Sequence, residues 1–223
     1  MPDLIAKAAA LPLHSRTPLE WGRAVLADPI SLLADHAFLE KKAAQNAMEL
    51  LTRWPGEWLP GWVETMTGIA RDEAAHLSQV VRLLTRRGGR LGRTHANPYA
   101  SQLRALVRLG SHDEIIDRLF ASALIELRSC ERFSVLATCA AQIEGAEDLA
   151  ALYNALFSSE MGHYKVFLKA AHRTAGGGVR RKLASVPVES RWQEMLAAEA
   201  RILAAQPVGP RVHSGVPATS SSC

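Results

Sequence analysis

The sequence predicts an all-α protein built around four long helices. Apolar residues recur at steps of three and four over long stretches, as in helices that bury one face, and the alternating pattern of strands is almost absent. Only 15 of the 223 residues are glycine and 11 are proline, while 48% are hydrophobic. A chain of this length and composition forms a core without a disulfide or a structural metal, so a bound metal would serve chemistry.

Proline, glycine and capping residues set the expected helix boundaries. Pro29 stands at the first position of the first long helix, Gly88-Gly89 ends the second, and Ser111 with Glu114 forms a capping box before the third. The expected helices are a short one that begins at Thr17-Pro18, helix A at 29–53, helix B at 60–86, a short helix at 99–109, helix C at 112–141, helix D from about 145 to before Gly176, and a last short helix at 188–205.

Composition changes after the last of these helices. Residues 206–223 are rich in proline, glycine and serine, which is typical of disordered segments. The preceding sequence has no internal repeat of the solenoid kind. We therefore expect one helical domain over residues 1–205, followed by a disordered tail over 206–223.

The cysteines and the N-terminal residues favour a cytoplasmic protein. There are three cysteines, an odd number without a CxxC pair, which argues against a disulfide framework or a zinc ribbon. Asp3 and Lys7 interrupt the mildly apolar N-terminus, unlike a secretory signal. No apolar run approaches the roughly 20 residues that a membrane span needs.

Each long helix carries a stripe, spaced alternately four and three residues apart, that is apolar except near its middle. At that point helices A and C have a lone glutamate, and helices B and D have a glutamate followed three residues later by a histidine. These residues are Glu40 in A, Glu126 in C, Glu73 and His76 in B, and Glu160 and His163 in D. Burying four carboxylates is costly unless cations compensate, so the pattern predicts two divalent metal ions.

The spacing of these residues supports one shared site. Glu-x-x-His puts both side chains on one helical face, and a lone glutamate from each of the other helices can bridge or cap the metal pair. Glu40 precedes Glu73 by 33 residues and Glu126 precedes Glu160 by 34, as expected if two antiparallel hairpins return their ligands to the same depth. Four carboxylates and two imidazoles suit iron or manganese better than structural zinc. The alternative is that the stripes are exposed faces.

Glu131 is the main rival to Glu126 as the ligand from helix C. It lies on an adjacent stripe of that helix, but its gap of 29 residues to Glu160 matches the first hairpin less well. We therefore prefer Glu126.

Other residues near the stripes have open roles. Asp72 is either an exposed acid or the acceptor of the free ring N–H of His163, which would fix its tautomer. Ser159 occupies the symmetric position before the second motif and can hydrogen-bond without adding charge. Tyr153 and Phe167 on helix D either pack in the core or line a substrate pocket.

Four segments around these residues resemble a known enzyme family. They are DHAFLEKKAA at 35–44, RDEAAH at 71–76, IELRSCERF at 125–133 and SSEMGHY at 158–164. Together they resemble the bacterial tRNA hydroxylases that act on 2-methylthio-N6-isopentenyladenosine, within the ferritin-like di-iron carboxylate superfamily. The resemblance covers about residues 1–205. It implies a ferritin-like four-helix bundle with a long connection between helices B and C and short extra helices at both ends.

The resemblance also implies a reaction, which is hydroxylation of the isopentenyl group of a modified adenosine beside the tRNA anticodon. It implies two iron ions, with O2 as co-substrate. The implied di-iron centre consists of Glu40, Glu73, His76, Glu126, Glu160 and His163. Electrons would come from an external donor protein of the ferredoxin or reductase type, since the chain has neither a flavin fingerprint nor a cysteine set for an iron–sulfur cluster. The alternatives are a ferritin-like ferroxidase or iron-storage protein without an organic substrate, and a metal-free helical RNA-binding module.

A tRNA substrate predicts a basic surface, and the basic residues are indeed clustered. Two stretches, 82–112 and 161–188, contain 13 of the 26 Lys and Arg residues and no acidic residue, so the net charge of +4 understates the local field. The candidate tRNA contacts are Arg86, Arg87, Arg90, Arg93, Arg104, Arg108, Arg173, Arg180, Arg181 and Lys182. The alternative is a pair of arginine-rich surfaces that only face solvent.

Overall fold

The computed structural model describes residues 4–53, 59–176 and 187–217, and within them the secondary structure is entirely helical. Eight α-helices are present in these ranges: α1 (Leu4–Ala9), α2 (Leu19–Leu26), α3 (Pro29–Leu50), α4 (Trp62–Arg86), α5 (Pro98–Arg104), α6 (Glu114–Ala140), α7 (Glu147–Ala175) and α8 (Val188–Ala204). Helices α3, α4, α6 and α7 are the predicted A, B, C and D. The predicted all-α class is confirmed.

The four long helices form two hairpins joined by a connection that runs the length of the bundle. Arg87, just after α4, donates to the carbonyl oxygen of Gly145 in the α6–α7 turn at 2.9 Å. At the opposite end, Arg53 approaches the carboxylate of Glu114, the first residue of α6, at 3.4 Å. The chain between α4 and α6 therefore starts at one end of the bundle and runs to the opposite end, as the long B–C connection requires.

The third long helix begins differently from the predicted capping box. Glu114 is its first residue, not its third. The Ser111 hydroxyl accepts from the backbone N–H of Asp113 at 3.2 Å, and the Glu114 carboxylate accepts from the backbone N–H of Gly110 at 2.7 Å. The two side chains therefore stabilise the turn that precedes the helix, and the helix starts later than the predicted 112.

The predicted disorder after the last helix is wrong for residues 206–217. These residues, here called the C-terminal strap, cross the outside of the bundle, and three consecutive residues at 212–214 are at most 5% exposed. Composition predicted disorder because local sequence offers little apolar surface. Residues 218–223 of the predicted tail lie outside the described residues, as do Trp54, Pro55 and Gly56, which follow the predicted helix A.

Buried polar groups hold the strap in place. Arg132 of α6, which is fully buried, donates to the carbonyl oxygens of Val212 and Ser214 at 2.8 and 2.7 Å. The Asp35 carboxylate of α3 accepts from the backbone N–H of Val212 at 2.9 Å. Because its partners lie on α3 and α6, the strap covers the seam between these two helices.

None of the helices in the described ranges is long and apolar enough to cross a membrane.

The contribution of the strap contacts to stability can be tested at Arg132. Replacing Arg132 with Met keeps most of the side-chain volume but leaves two buried carbonyl groups without their donor. We expect the free energy of unfolding in urea to fall by about 3 kcal/mol. Arg201→Met, at an exposed position on α8, serves as the control and should stay within about 0.5 kcal/mol of the unsubstituted protein. Equal stability of the two variants would contradict the proposed contribution of the strap contacts.

Candidate metal centre

Six titratable side chains from the four long helices meet in the middle of the bundle, and each is at most 7% exposed. They form two overlapping groups whose candidate ligand atoms lie within 4.8 Å of one another. One group consists of Glu40, Glu73, His76 and Glu160, and the other of Glu73, Glu126, Glu160 and His163. The two glutamates of the Glu-x-x-His motifs belong to both groups, whereas each lone glutamate belongs to one.

Nδ1 of each histidine lies closer to the glutamate of the other Glu-x-x-His motif than to the glutamate of its own motif. Nδ1 of His163 lies 2.6 Å from Oε1 of Glu73 and 3.4 Å from Oε2 of Glu160. Nδ1 of His76 lies 3.2 Å from Oε1 of Glu160 and 3.5 Å from Oε2 of Glu73. This crossed arrangement places Glu73 and Glu160 between the two imidazoles, where each carboxylate can contact both metal positions.

The polar atoms at this point face one another without forming well-aligned hydrogen bonds. Both carboxylate oxygens of Glu73, both of Glu160, and Nδ1 of His76 and of His163 are buried without a hydrogen bond. Buried polar atoms are normally paired, because an unpaired one loses its hydration without compensation. Two divalent cations would satisfy all of these atoms together, and a donor set rich in carboxylate oxygen with two imidazoles fits iron or manganese. The residues present therefore fit a two-metal site.

Without a cation, the cluster holds protons instead. Burial opposes a charged imidazole, but the carboxylates of Glu160, Glu40 and Glu73 outweigh it and raise the pKa of His76 to about 12. The same balance, with Glu160 and Glu73, raises the pKa of His163 to about 10. Burial and the charge of Glu160 raise the pKa of Glu73 to about 8. Protons thus occupy the positions where metal ions would bind.

The structure separates the two candidates from the third long helix. Glu126 lies in the cluster, where burial and the charge of Glu160 raise its carboxyl pKa well above the usual value. Glu131 instead accepts from the backbone N–H and hydroxyl of Thr17 at 2.6 and 2.7 Å, and pairs with Arg128 at 3.0 Å. Its carboxylate is fully used in the packing of the N-terminal segment against α6.

His36 is a neighbour of the cluster that the sequence analysis missed. Its Nε2 donates to Oε1 of Glu40 at 2.5 Å, and its ring packs against both Phe133 and Tyr153 with centroid distances of 5.0 and 5.6 Å. The available signal was its position four residues before Glu40, which puts both on one helical face. Tyr153, for which core packing was one of the open roles, thus packs against a side chain that contacts the cluster.

The expected hydrogen bond from Asp72 is not formed directly. Oδ2 of Asp72 lies 3.7 Å from Nε2 of His163, beyond hydrogen-bond distance, and its other oxygen pairs with Arg71 at 3.0 Å. Asp72 nevertheless covers the outer side of that imidazole, with 42% of its own side chain exposed. Ser159 is half-buried beside the cluster, and its role remains a prediction.

The candidate tRNA contacts fall into three groups. Five are exposed: Arg86, Arg90, Arg93, Arg104 and Arg173. Arg87 forms an ion pair with Asp148, and Arg108 pairs through Nε with the buried carboxylate of Asp117 at 2.7 Å, so both stabilise the fold. Arg180, Arg181 and Lys182 lie outside the described residues.

Known proteins resemble this chain over almost its whole length. The family model described as tRNA-(MS2IO6A)-hydroxylase (MiaE) matches residues 5–214. A tRNA 2-(methylsulfanyl)-N(6)-isopentenyladenosine(37) hydroxylase from Pseudomonas putida is 37% identical over 201 residues, which cover 90% of this chain and 91% of that protein. The enzyme of the same name from Salmonella typhimurium is 28% identical over 184 residues, which cover 82% of this chain and 62% of that protein.

A solved structure shows the same architecture. It is a Synechococcus protein described as having aldehyde deformylating oxygenase activity, and it superposes with a TM-score of 0.77 at 30% sequence identity, covering 93% of this chain and 98% of that chain. This likeness confirms the ferritin-like bundle predicted from the sequence.

Metal binding should depend on pH because the cluster must release protons. The pKa values of His163 and His76 are raised, so both imidazoles are protonated at neutral pH in the metal-free protein, and a metal ion must displace those protons. We expect the apparent affinity for Fe2+, measured by anaerobic titration calorimetry, to rise at least tenfold per pH unit from pH 6 to pH 8. A His14→Gln variant, which lacks an exposed imidazole, should show the same dependence. An affinity that is constant over this range would contradict the protonated cluster.

Two conservative substitutions distinguish the glutamates of α6. Glu126→Gln removes a cluster carboxylate, so we expect less than two irons per chain after reconstitution and little change in unfolding free energy. Glu131→Gln should keep two irons but lower the free energy of unfolding by about 3 kcal/mol, since Thr17 and the buried Arg128 lose a charged partner. Metal analysis and urea denaturation measure both effects. If Glu131→Gln loses iron and Glu126→Gln loses stability, Glu131 and not Glu126 is the ligand.

Proposed function

The chain belongs to the tRNA-(MS2IO6A)-hydroxylase family, and from that premise we propose that it hydroxylates the isopentenyl group of 2-methylthio-N6-isopentenyladenosine in tRNA, next to the anticodon. The observation that carries the proposal is the buried cluster of four glutamates and two histidines with unpaired polar atoms. An allylic methyl group has no acidic proton, and no amino-acid side chain is a strong enough oxidant to attack its C–H bond. When bound, two iron ions would supply the activation of O2 that this hydroxylation needs.

The six side chains of the cluster would hold the iron ions. Glu73 and Glu160 belong to both groups of candidate ligands and would span the two positions, while Glu40 and Glu126 would each complete one. His76 and His163 would each bind through Nδ1, the ring nitrogen directed at the carboxylates. Each of the six side chains is at most 7% exposed, so the reacting centre would be shielded from bulk water.

His36 would fix the position of Glu40. A carboxylate only accepts hydrogen bonds, so the 2.5 Å contact places a proton on Nε2 of His36 and orients the carboxylate toward the cluster. Phe133 and Tyr153, which also pack against each other, restrict the orientation of the His36 ring. Asp72 lies beside the outer nitrogen of His163, where a small rotation or a bridging water would allow it to accept the ring proton.

The substrate and the redox partner come from the same proposal. The exposed arginines at 86, 90, 93, 104 and 173 would bind tRNA phosphates, which supply most of the affinity of such complexes. Electrons would come from a separate ferredoxin or reductase, because the sequence has no flavin fingerprint or cysteine set of its own. A tRNA substrate places the reaction in the cytoplasm. The family match supports hydroxylation and not the alternative of a ferroxidase or an iron-storage protein.

Nucleoside analysis tests this function directly. In cells that lack this protein, we expect tRNA to contain unhydroxylated 2-methylthio-N6-isopentenyladenosine, measured by mass spectrometry of digested tRNA. Expression of the unsubstituted chain should restore the hydroxylated nucleoside, and Glu73→Gln, which removes a carboxylate shared by both groups, should reduce it at least 100-fold. Glu64→Gln, at an exposed position of the same helix, should restore it fully. Unchanged nucleosides on deletion would defeat the substrate assignment.

A further inference from the structure

The two imidazoles of the cluster lie at the seam between α4 and α7, where His76 and His163 are 7% and 6% exposed. On the α3–α6 side, the C-terminal strap bonds to both Asp35 and Arg132 and closes the bundle. On the α4–α7 side, the half-exposed Asp72 covers the imidazole of His163. The α4–α7 seam is therefore a side from which a macromolecular substrate can approach the cluster.

An open groove of about 700 Å³ lies on this seam, between the C-terminal half of α4 and the N-terminal half of α7. Leu83 and Leu152 are buried and form its floor. The small side chains of Ala151 and Ala155 leave the α7 side of the groove open. The volume lies in the range of small-molecule binding sites, roughly 300–1,000 Å³. The groove is therefore large enough to hold a nucleoside.

The groove begins close to the cluster. Gln79 at its inner end is three residues beyond His76, and Ala155 is five residues before Glu160. At about 1.5 Å of rise per residue, these separations correspond to about 5–8 Å along the helix axes. A five-carbon isopentenyl chain on a base that lies in the groove has a comparable reach toward the cluster.

The charge of the rim suits a nucleic acid. Arg82 and Arg86 are exposed, stand four residues apart on the α4 bank, and thus project from one helical face. The acidic residue of the lining, Asp148, is neutralised by its ion pair with Arg87. The rim therefore presents net positive charge next to an apolar floor, the combination expected for phosphates flanking a splayed base.

We propose that this groove binds the modified adenosine of the tRNA substrate. The base lies on the floor formed by Leu83 and Leu152, the isopentenyl chain points along the seam toward His76 and Glu160, and Arg82 and Arg86 bind the flanking phosphates. The assignment rests on the proposed function and adds to it the binding site and its specificity-determining residues.

A second opening on the same seam provides a matched control. It lies on the other side of the cluster, has a volume of about 190 Å³, and is lined by Met66, Lys169, Ala170 and Arg173 among others. Because its volume lies below the range of small-molecule sites, roughly 300–1,000 Å³, this opening is less suited to a modified base. Ala170→Trp fills this opening in the way that Ala155→Trp fills the groove.

The experiment compares an anticodon stem-loop RNA that carries 2-methylthio-N6-isopentenyladenosine with the same RNA that carries adenosine. We expect the iron-loaded protein to bind the modified RNA at least tenfold more tightly, measured by fluorescence anisotropy at fixed salt. Ala155→Trp, and Thr85→Trp from the opposite bank, should abolish this preference and lower single-turnover hydroxylation at least tenfold, with unchanged iron content and helicity. Ala170→Trp should keep both properties.

The double variant Arg82→Ala/Arg86→Ala tests the phosphate contacts. It should weaken the binding of both RNAs by the same factor, and it should reduce the slope of log affinity against log salt concentration by about two.

The outcomes separate this inference from the function on which it rests. If both Trp variants fold, bind iron and keep the preference, or if Ala170→Trp alone loses it, the groove assignment is overturned while hydroxylation by the unsubstituted protein stands. If the unsubstituted protein neither binds nor hydroxylates the modified RNA, the proposed function fails and the groove assignment fails with it.

Discussion

The structure depends on one electrostatic constraint, which is that four carboxylates and two imidazoles occupy the low-dielectric centre of a helical bundle. Such groups repel one another and lose their hydration unless cations or protons balance them. The carboxylates raise the pKa values of His76 and His163, and burial with the charge of Glu160 raises that of Glu73, so protons would balance the cluster where no cation is bound. The surrounding fold supplies rigidity: four helices, each contributing one or two side chains, keep the charges at fixed distances.

The sequence predicts that these six side chains meet inside the bundle because the signal is local and periodic. Each ligand candidate interrupts an apolar stripe, so helical geometry alone places all six on inward faces at matching depth. The choice between Glu126 and Glu131 was harder, since both lie on buried sides of α6 and the relevant partner, Arg128, is itself buried. The sequence does not predict the role of His36 for a related reason. A single histidine on a helix belongs to no recognisable motif unless the residue that it contacts is known.

Sequence could not predict the C-terminal strap, because its order comes from distant residues. The composition of a segment reflects only the interactions that it can form with nearby residues in the chain. The strap is instead held by buried groups on helices that precede it. Two of the candidate phosphate contacts illustrate the same limit, since Arg87 and Arg108 are positioned by Asp148 and Asp117 and are ion-paired within the protein. A stretch of basic residues in the sequence therefore overestimates how many positive charges are available on the protein surface.

The strap also constrains the order of events during synthesis. The hydrogen bond between Asp35 and Val212 joins residues that are 177 positions apart, and residues 206–217 leave the ribosome after all four long helices. Until they emerge, Asp35 lacks its backbone N–H partner and Arg132 lacks both of its carbonyl acceptors, so the nascent bundle has one unsealed flank. Closing so long a loop costs conformational entropy, so the strap docks only after the bundle that holds its partners has formed.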